Sequence, residues 1–270
     1  MPEAPQTLNT FESLKQVISA LRGPGGCPWD KEQTHQSLTP YAIEEVFEMV
    51  EAIESGDDQH ICEELGDVLF QVILHAVMAE ERNAFNISNV IEGINSKIIR
   101  RHPHVFSNTQ VTGNDEVLKN WDEIKRQEKI NANKKSAKTI DVPEGMPALQ
   151  RAHKIGEKTK KLKFDWSETQ QVLKQLKAEI KELEEAMATN HAHEIQHEMG
   201  DVLFSAAQLA RHLEIEPESS LREANRRFLK RFEKMLELGS LTPQQFVELA
   251  DKQKEELWTK AKKVLKTALD

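Results

Sequence analysis

The chain has 270 residues, of which 30% are charged, and it carries a formal net charge of -9 at pH 7. This acidic balance argues against general binding to nucleic acid or to an anionic membrane, and we expect neither as a partner. No apolar run approaches the roughly 20 residues of a membrane-spanning helix. The two cysteines offer no disulfide framework, so the expected location is the cytoplasm.

Apolar residues recur at helical spacing along nearly the whole chain, and no stretch alternates as a strand does. The pattern predicts a first helix that Thr10 caps, followed by helices over about 40–55 and 58–82. The other predicted helices, in chain order, cover 88–101, 115–131, 147–161, 167–189, 191–213, 217–237 and 243–267. The sequence therefore predicts an all-α protein.

A seven-residue sequence occurs twice with a single change. Glu64–Phe70 reads Glu-Leu-Gly-Asp-Val-Leu-Phe, and Glu198–Phe204 repeats it with Met in place of Leu at the second position. The two copies lie 134 residues apart, a period far longer than that of a solenoid repeat. The repeat predicts two tandem, duplicated helical-bundle domains over 1–130 and 147–270, joined by a polar linker over 131–146.

Acidic residues recur at a fixed spacing around each copy of the repeat. Glu45 and Glu48 share one helix face, and Glu64 and Asp67 share a face of the next helix. Because the connection between these helices is short, we expect them to be antiparallel neighbours whose carboxylates converge. The second half repeats the set with Glu179, Glu182, Glu198 and Asp201. An all-oxygen ligand set favours Mg²⁺, with Mn²⁺ as the alternative. The competing interpretation is a set of solvated, charged helix faces.

The acidic pattern resembles that of a known family. Glu44-Glu45-x-x-Glu48 followed by Glu64-x-x-Asp67 is similar to the motif of the MazG nucleoside triphosphate pyrophosphohydrolases. Lys97–Phe106 resembles that family's basic segment, and Leu21–Asp30 resembles its N-terminal signature. Ala148–Ile155 and Phe164–Trp166 are similar to the opening of its second domain. The resemblance spans most of the chain and implies an all-α fold of helix bundles that assemble as homodimers.

The resemblance also implies an activity and a set of site residues. The implied enzyme uses Mg²⁺ to hydrolyse nucleoside triphosphates to monophosphates and diphosphate, over a broad range of NTPs and dNTPs, in a house-cleaning or stress-related role. The implied metal ligands are Glu45, Glu48, Glu64 and Asp67 in the first domain and Glu179, Glu182, Glu198 and Asp201 in the second. We predict a catalytic set of Glu179, Glu182, Glu198 and Asp201 together with Glu44 and Glu45.

Basic and aromatic residues are the candidates for nucleotide contacts. Basic residues follow each acidic set by one helix, at Lys97, Arg100 and Arg101 in the first half and at Arg227, Lys230 and Arg231 in the second. Arginine can grip phosphate oxygens in a bidentate manner, and the alternative is a basic face paired with nearby acids. Trp121 and Trp258 end comparable helical stretches. Each is predicted to stack on a nucleobase, with a core or interface position as the alternative.

Two differences between the halves remove an acidic residue next to a predicted ligand. Ala178 stands where the first half has Glu44, and His197 stands where it has Glu63. The first half therefore keeps the fuller acidic set, although the second domain is the one usually linked to catalysis in two-domain relatives. All four predicted ligands remain in the second half, so the second domain is the predicted catalytic one.

Two other functions compete with this hypothesis. His193-Glu194-Ile195-Gln196-His197 matches the H-E-x-x-H motif of zinc peptidases, but the first half has no counterpart and no third ligand follows. We therefore predict that these histidines are surface residues near a helix start. The other alternative is a catalytically decayed helical module that acts by binding other proteins.

Overall fold

The computed structural model describes residues 2–131 and 139–267 of the chain. Within these residues all regular elements are helices, which confirms the predicted all-α fold. In chain order they are α1 Phe11–Arg22, α2 Pro28–Glu32, α3 Thr39–Ser55, α4 Asp58–Glu81, α5 Ile87–Arg101, α6 Pro103–Phe106, α7 Asn114–Asn131, α8 Ala148–Lys161, α9 Thr169–Thr189, α10 Ala192–His212, α11 Pro217–Gly239, α12 Pro243–Val247 and α13 Asp251–Thr267.

The chain divides into two compact units, Met1–Lys135 and Ser136–Asp270. This division agrees with the duplication that the repeat predicts. Residues 132–138 of the predicted linker lie outside the described residues. At the described end of that linker Val142 is buried, so this part of the chain packs against the protein. The boundaries at 130 and 147 stay predictions.

The first unit is built around an antiparallel pair formed by α3 and α4. Gly56 ends α3 with a left-handed φ of 74°, a conformation that glycine adopts without strain, and α4 begins two residues later. Helices α1 and α5 also pack against α4. The core lies between these helices and contains Ile18, Leu38, Ile73, Leu74, Ala76, Val77, Met78 and Ile87. As predicted, Thr10 caps α1, in a capping box with Ser13.

The second unit is built around the equivalent pair, α9 and α10. Asn190 ends α9 with a left-handed φ of 57°, and it lies 134 residues after Gly56. Helix α8 packs against α10, and α11 packs against α13 and α8. Small side chains such as Ala152, Ala186 and Ala207 are buried in this unit, which allows close approach of the helices.

Three short elements differ from the prediction. The sequence predicts one helix over 243–267, but α12 ends at Val247 and α13 starts at Asp251. The break is stabilised by the Gln253 side chain, whose Oε1 accepts a hydrogen bond from the Ala250 amide at 3.0 Å. Helices α2 and α6 were not predicted, and each begins with a proline, a residue that suits the first position of a helix.

None of the helices in the described ranges combines the length and the apolar character that a bilayer crossing requires.

Candidate metal centres

The hairpin of α3 and α4 brings three glutamates together. One carboxylate oxygen each from Glu45, Glu48 and Glu64 lies within 4.8 Å of the other two, and we call this group the first triad. Glu64 is buried, and its Oε2 atom has no hydrogen-bond partner among the described residues. Its Oε1 atom lies 3.1 Å from Nε2 of His60. A buried carboxylate oxygen without a donor is costly, so the first triad fits a bound cation.

Repulsion between the carboxylates is visible at Glu48. Desolvation raises the pKa of Glu48 above its ordinary value, and the negative charges of Glu64, Glu45, Glu44 and Asp67 raise it further. Glu44 and Asp67 thus lie near enough to act on Glu48, although both are exposed and outside the first triad. A divalent cation would relieve this repulsion.

The hairpin of α9 and α10 repeats the arrangement. One carboxylate oxygen each from Glu179, Glu182 and Glu198 lies within 4.8 Å of the other two, and we call this group the second triad. Its members occupy the same positions as the first triad, 134 residues later. Solvated surface charges have no reason to converge in both copies of a duplicated fold, so the geometry argues against that alternative.

Asp201, the fourth predicted ligand of the second unit, contacts His197. The Nδ1 atom of His197 lies 3.2 Å from Oε1 of Glu198 and 3.2 Å from Oδ2 of Asp201. These three residues form a further candidate metal-binding group. His197 is an exposed residue, as predicted, but its contacts with two predicted ligands were missed. No candidate group in the described ranges includes His193, which disfavours the zinc-peptidase motif.

A glutamine orients one carboxylate in each triad. In the first unit Nε2 of Gln71 donates to Oε1 of Glu45 at 3.4 Å. In the second unit Nε2 of Gln175 donates to Oε1 of Glu179 at 2.8 Å. Outer-shell donors of this kind fix the orientation of metal ligands. The repeat does not indicate these contacts, because the two glutamines occupy unrelated positions in it.

In the first unit two of the predicted phosphate ligands are engaged with an acid. Arg100 and Arg101 bind opposite oxygens of Glu128 on α7, each at 2.6 Å. Hydrogen bonds from Arg101, and then from Arg100, lower the pKa of Glu128 to about 2. For Arg100 and Arg101 the structure therefore shows a basic face paired with an acid, which is the alternative to phosphate binding. Lys97 is exposed on the same helix.

In the second unit the predicted nucleotide contacts gather between α11 and α13. The Trp258 ring lies 5.2 Å from the Phe228 ring, and the guanidinium carbon of Arg231 lies 5.8 Å from the Trp258 ring centre. Arg227 pairs with Glu223 one turn earlier at 3.2 Å. Lys230 is exposed. The structure thus brings Arg231 and Trp258 together on one surface.

Trp121 of the first unit has a different environment from Trp258. Its ring lies 5.9 Å from the ring of His102, and Nζ of Lys125 lies 4.2 Å from its centre. Its Nε1 atom is buried and has no hydrogen-bond partner in the described part of the chain. The Nε1 edge of the indole is therefore buried in the protein, and Lys125 covers one face of the ring, which disfavours nucleobase stacking on that face.

Comparison with known proteins identifies the family. The family model described as the MazG nucleotide pyrophosphohydrolase domain matches the chain twice, over residues 33–106 and 167–235. The chain belongs to the MazG family of nucleotide pyrophosphohydrolases. The two MazG segments contain both triads, Asp201 and His197, whereas Trp121 and Trp258 lie outside them.

Curated MazG relatives cover nearly the full chain. The chain is 44% identical to the nucleoside triphosphate pyrophosphohydrolase/pyrophosphatase MazG of Thermotoga maritima, over 93% of this chain and 95% of the relative. It is 36% identical to a nucleoside triphosphate pyrophosphohydrolase of Escherichia coli (strain K12), over 95% of this chain and 98% of the relative. It is also 43% identical to the uncharacterized protein YabN of Bacillus subtilis, but it spans only 51% of that protein.

Proposed function

We propose that this MazG chain is a Mg²⁺-dependent nucleoside triphosphate pyrophosphohydrolase, which converts NTP and water to NMP and diphosphate. The observation that supports it best is the convergence of three carboxylates at the same positions of both duplicated hairpins. The names of the relatives from Thermotoga maritima and Escherichia coli agree with this activity.

The chemistry of the triads fits a hard divalent cation. Each triad supplies only carboxylate oxygens, which are the protein ligands that Mg²⁺ and Mn²⁺ take alongside water and substrate phosphates. When bound, such an ion would screen the phosphate charge and favour deprotonation of the attacking water. Glu179, Glu182 and Glu198 would hold it in the second unit, and Gln175 would keep Glu179 in place.

The second unit is the proposed catalytic one. It combines the second triad and Asp201 with a surface on which Arg231 lies beside Trp258. We assign phosphate binding to Arg227, Lys230 and Arg231, and nucleobase or ribose contact to Trp258. The first unit, with Glu44 and Glu45, keeps a metal site or a structural role. Lys97 is its proposed nucleotide contact, because Arg100 and Arg101 are paired with Glu128 and Trp121 is packed against the protein.

A homodimer is part of the proposal. Apolar side chains on the central hairpins remain exposed in the single chain, including Ile43, Val46, Phe47, Leu65 and Val72 in the first unit and Ile180, Met199 and Leu203 in the second. Apolar surface of this extent marks an interaction site. A second copy of the chain is the proposed partner, and sedimentation at micromolar concentration should give twice the mass of one chain. The cytoplasmic location, the broad NTP and dNTP range and the house-cleaning role stay predictions.

Product analysis tests the function. ATP and the other nucleoside triphosphates are incubated with the full chain and Mg²⁺, with EDTA, and with EDTA followed by excess Mg²⁺. The proposal predicts monophosphate and diphosphate in equal amounts, loss of turnover in EDTA and recovery with Mg²⁺. Release of inorganic phosphate and nucleoside diphosphate would contradict the proposed reaction. Absence of turnover under all conditions would favour the decayed interaction module.

A further inference from the structure

His197 gives the second unit a donor type that the first triad lacks. Its Nδ1 atom lies 3.2 Å from one oxygen of Glu198 and 3.2 Å from one oxygen of Asp201. Neighbouring ligands of an ion with bonds of about 2.1 Å lie about 3.0–3.4 Å apart. The spacing therefore matches that of two neighbouring ligand pairs around one metal ion.

Helix geometry explains how the three donors meet. His197 and Asp201 are four residues apart on α10 and share one face, and Glu198 lies beside them. Glu198 also belongs to the second triad with Glu179 and Glu182. The second unit thus has a mixed nitrogen and oxygen donor group that is continuous with its all-oxygen group.

The first unit has no matching arrangement among its described residues. The position equivalent to His197 is Glu63, which is exposed. His60 contacts Glu64 at 3.1 Å, but it belongs to none of the candidate metal groups. The two units therefore differ in the ligand chemistry that they offer to a cation.

A surface ion pair is the competing explanation. A protonated His197 would bind Glu198 and Asp201 as a counter-ion, and exposed pairs of this kind contribute little to stability. The two explanations predict opposite effects on metal binding. A counter-ion competes with the metal, so its removal strengthens metal binding or leaves it unchanged. A ligand supports the metal, so its removal weakens binding.

We infer that His197 is a nitrogen ligand of the metal ion bound by the second unit, and that it raises the affinity of this unit for transition ions such as Co²⁺ and Mn²⁺ more than its affinity for Mg²⁺. Imidazole nitrogen binds later first-row ions such as Co²⁺ more strongly than Mn²⁺, and Mg²⁺ prefers oxygen donors. The inference rests on the proposed metal site but not on turnover. It adds a ligand and a metal preference that the carboxylate pattern does not contain.

Pulsed EPR of Mn²⁺ bound to the full chain, without nucleotide, tests the inference. The wild-type chain should show coupling between Mn²⁺ and a ¹⁴N nucleus. His197→Gln should remove this coupling and weaken Mn²⁺ binding by roughly tenfold or more, with a smaller effect on Mg²⁺. Two control variants, His193→Gln on the same helix and His60→Gln beside Glu64, should leave the coupling unchanged.

The possible outcomes separate this inference from the proposed function. Wild-type protein without ¹⁴N coupling, coupling that survives His197→Gln, or unchanged or stronger Mn²⁺ binding in that variant would overturn the inference. Coupling that depends on His197 in a chain without pyrophosphohydrolase activity would support the inference and refute the proposed function. Pyrophosphohydrolase activity without His197-dependent coupling would support the proposed function and refute the inference.

Discussion

Arg211 donates two hydrogen bonds to Asp165 within the second unit, from Nη2 to Oδ1 at 2.6 Å and from Nη1 to Oδ2 at 2.9 Å. The two side chains are only 7% and 11% exposed. Asp165 lies between α8 and α9, and Arg211 lies on α10, so the pair connects the segment before α9 to α10. It therefore helps to fix the two helices that carry the second triad.

Loss of the Asp165 carboxylate should destabilise the second unit. Asp165→Ala leaves the buried Arg211 guanidinium without a carboxylate partner, although its Nε bond to Gln208 remains, and costs about 3–5 kcal/mol of unfolding free energy. Urea denaturation followed by circular dichroism measures this loss. The matched control is Glu123→Ala, which breaks an exposed ion pair with Arg126 and should cost less than about 1 kcal/mol. Equal losses in the two variants would refute the structural role of the buried pair.

Acid should weaken the same pair. The hydrogen bond from Arg211 is the main cause that lowers the pKa of Asp165 to about 2, from an unfolded value of about 3.9. The unfolded state binds the proton first, so the stabilisation is complete above about pH 4 and is lost as the pH falls towards 2. Urea midpoints over this range should fall more steeply for the wild-type chain than for Asp165→Asn. Parallel curves would contradict the prediction.

A histidine pair should make the first unit sensitive to milder acid. The Nδ1 atoms of His35 and His75 lie 2.7 Å apart, so one of them must be an unprotonated acceptor. Burial lowers the pKa of His75, and the charge of His35 lowers it further. The unfolded histidine takes up its proton near pH 6.5. Stability is therefore complete above that pH and is lost as the pH falls through the lower, folded pKa.

Unfolding measurements between pH 7.5 and pH 5 check this pH dependence. His75→Gln should reduce the loss of stability on acidification, since the group that titrates is removed. His191→Gln, at an exposed position in the second unit, is the control and should keep the wild-type slope. A slope that is unchanged in His75→Gln would assign the acid sensitivity to other groups.

Glu64→Gln should have opposite effects with and without metal. In EDTA the substitution removes a buried negative charge from the first triad, so the Tm should rise. With Mg²⁺ the variant should show a smaller Tm increase than the wild-type chain, because a bound ion stabilises the folded state only where it has ligands. Differential scanning calorimetry measures both values. Glu63→Gln, its exposed neighbour, should behave as wild type in both conditions.

The two triads were predictable because local rules determine them. A spacing of three residues places Glu45 and Glu48 on one helix face, and the short turn at Gly56 brings Glu64 opposite them. The position of Asp67 outside the first triad was not predictable from its spacing. Sequence spacing specifies which residues share a face, but the packing of two helices decides which side chains meet.

Contacts between segments that lie far apart in the chain could not be predicted from the sequence. Glu128 reaches Arg100 and Arg101 from α7, and no local pattern indicates that α7 packs against α5. The contact of His197 with Asp201 follows a spacing of four residues on one helix, so the sequence does carry a signal for it. The exposed position of His197 was predicted correctly. The acidic residues on the same helix face indicate the contacts that it makes.

The rate of diphosphate release from ATP in matched double variants tests the central claim, that clustered carboxylates hold the catalytic cation. Glu182→Gln with Glu198→Gln disables the second triad, and Glu48→Gln with Glu64→Gln disables the first. Glu184→Gln with Glu185→Gln changes two exposed neighbours and is the control. We predict loss of turnover in the second-triad variant, a small effect in the first-triad variant and none in the control. Wild-type rates in both triad variants, and in the variant that combines all four changes, would contradict the claim.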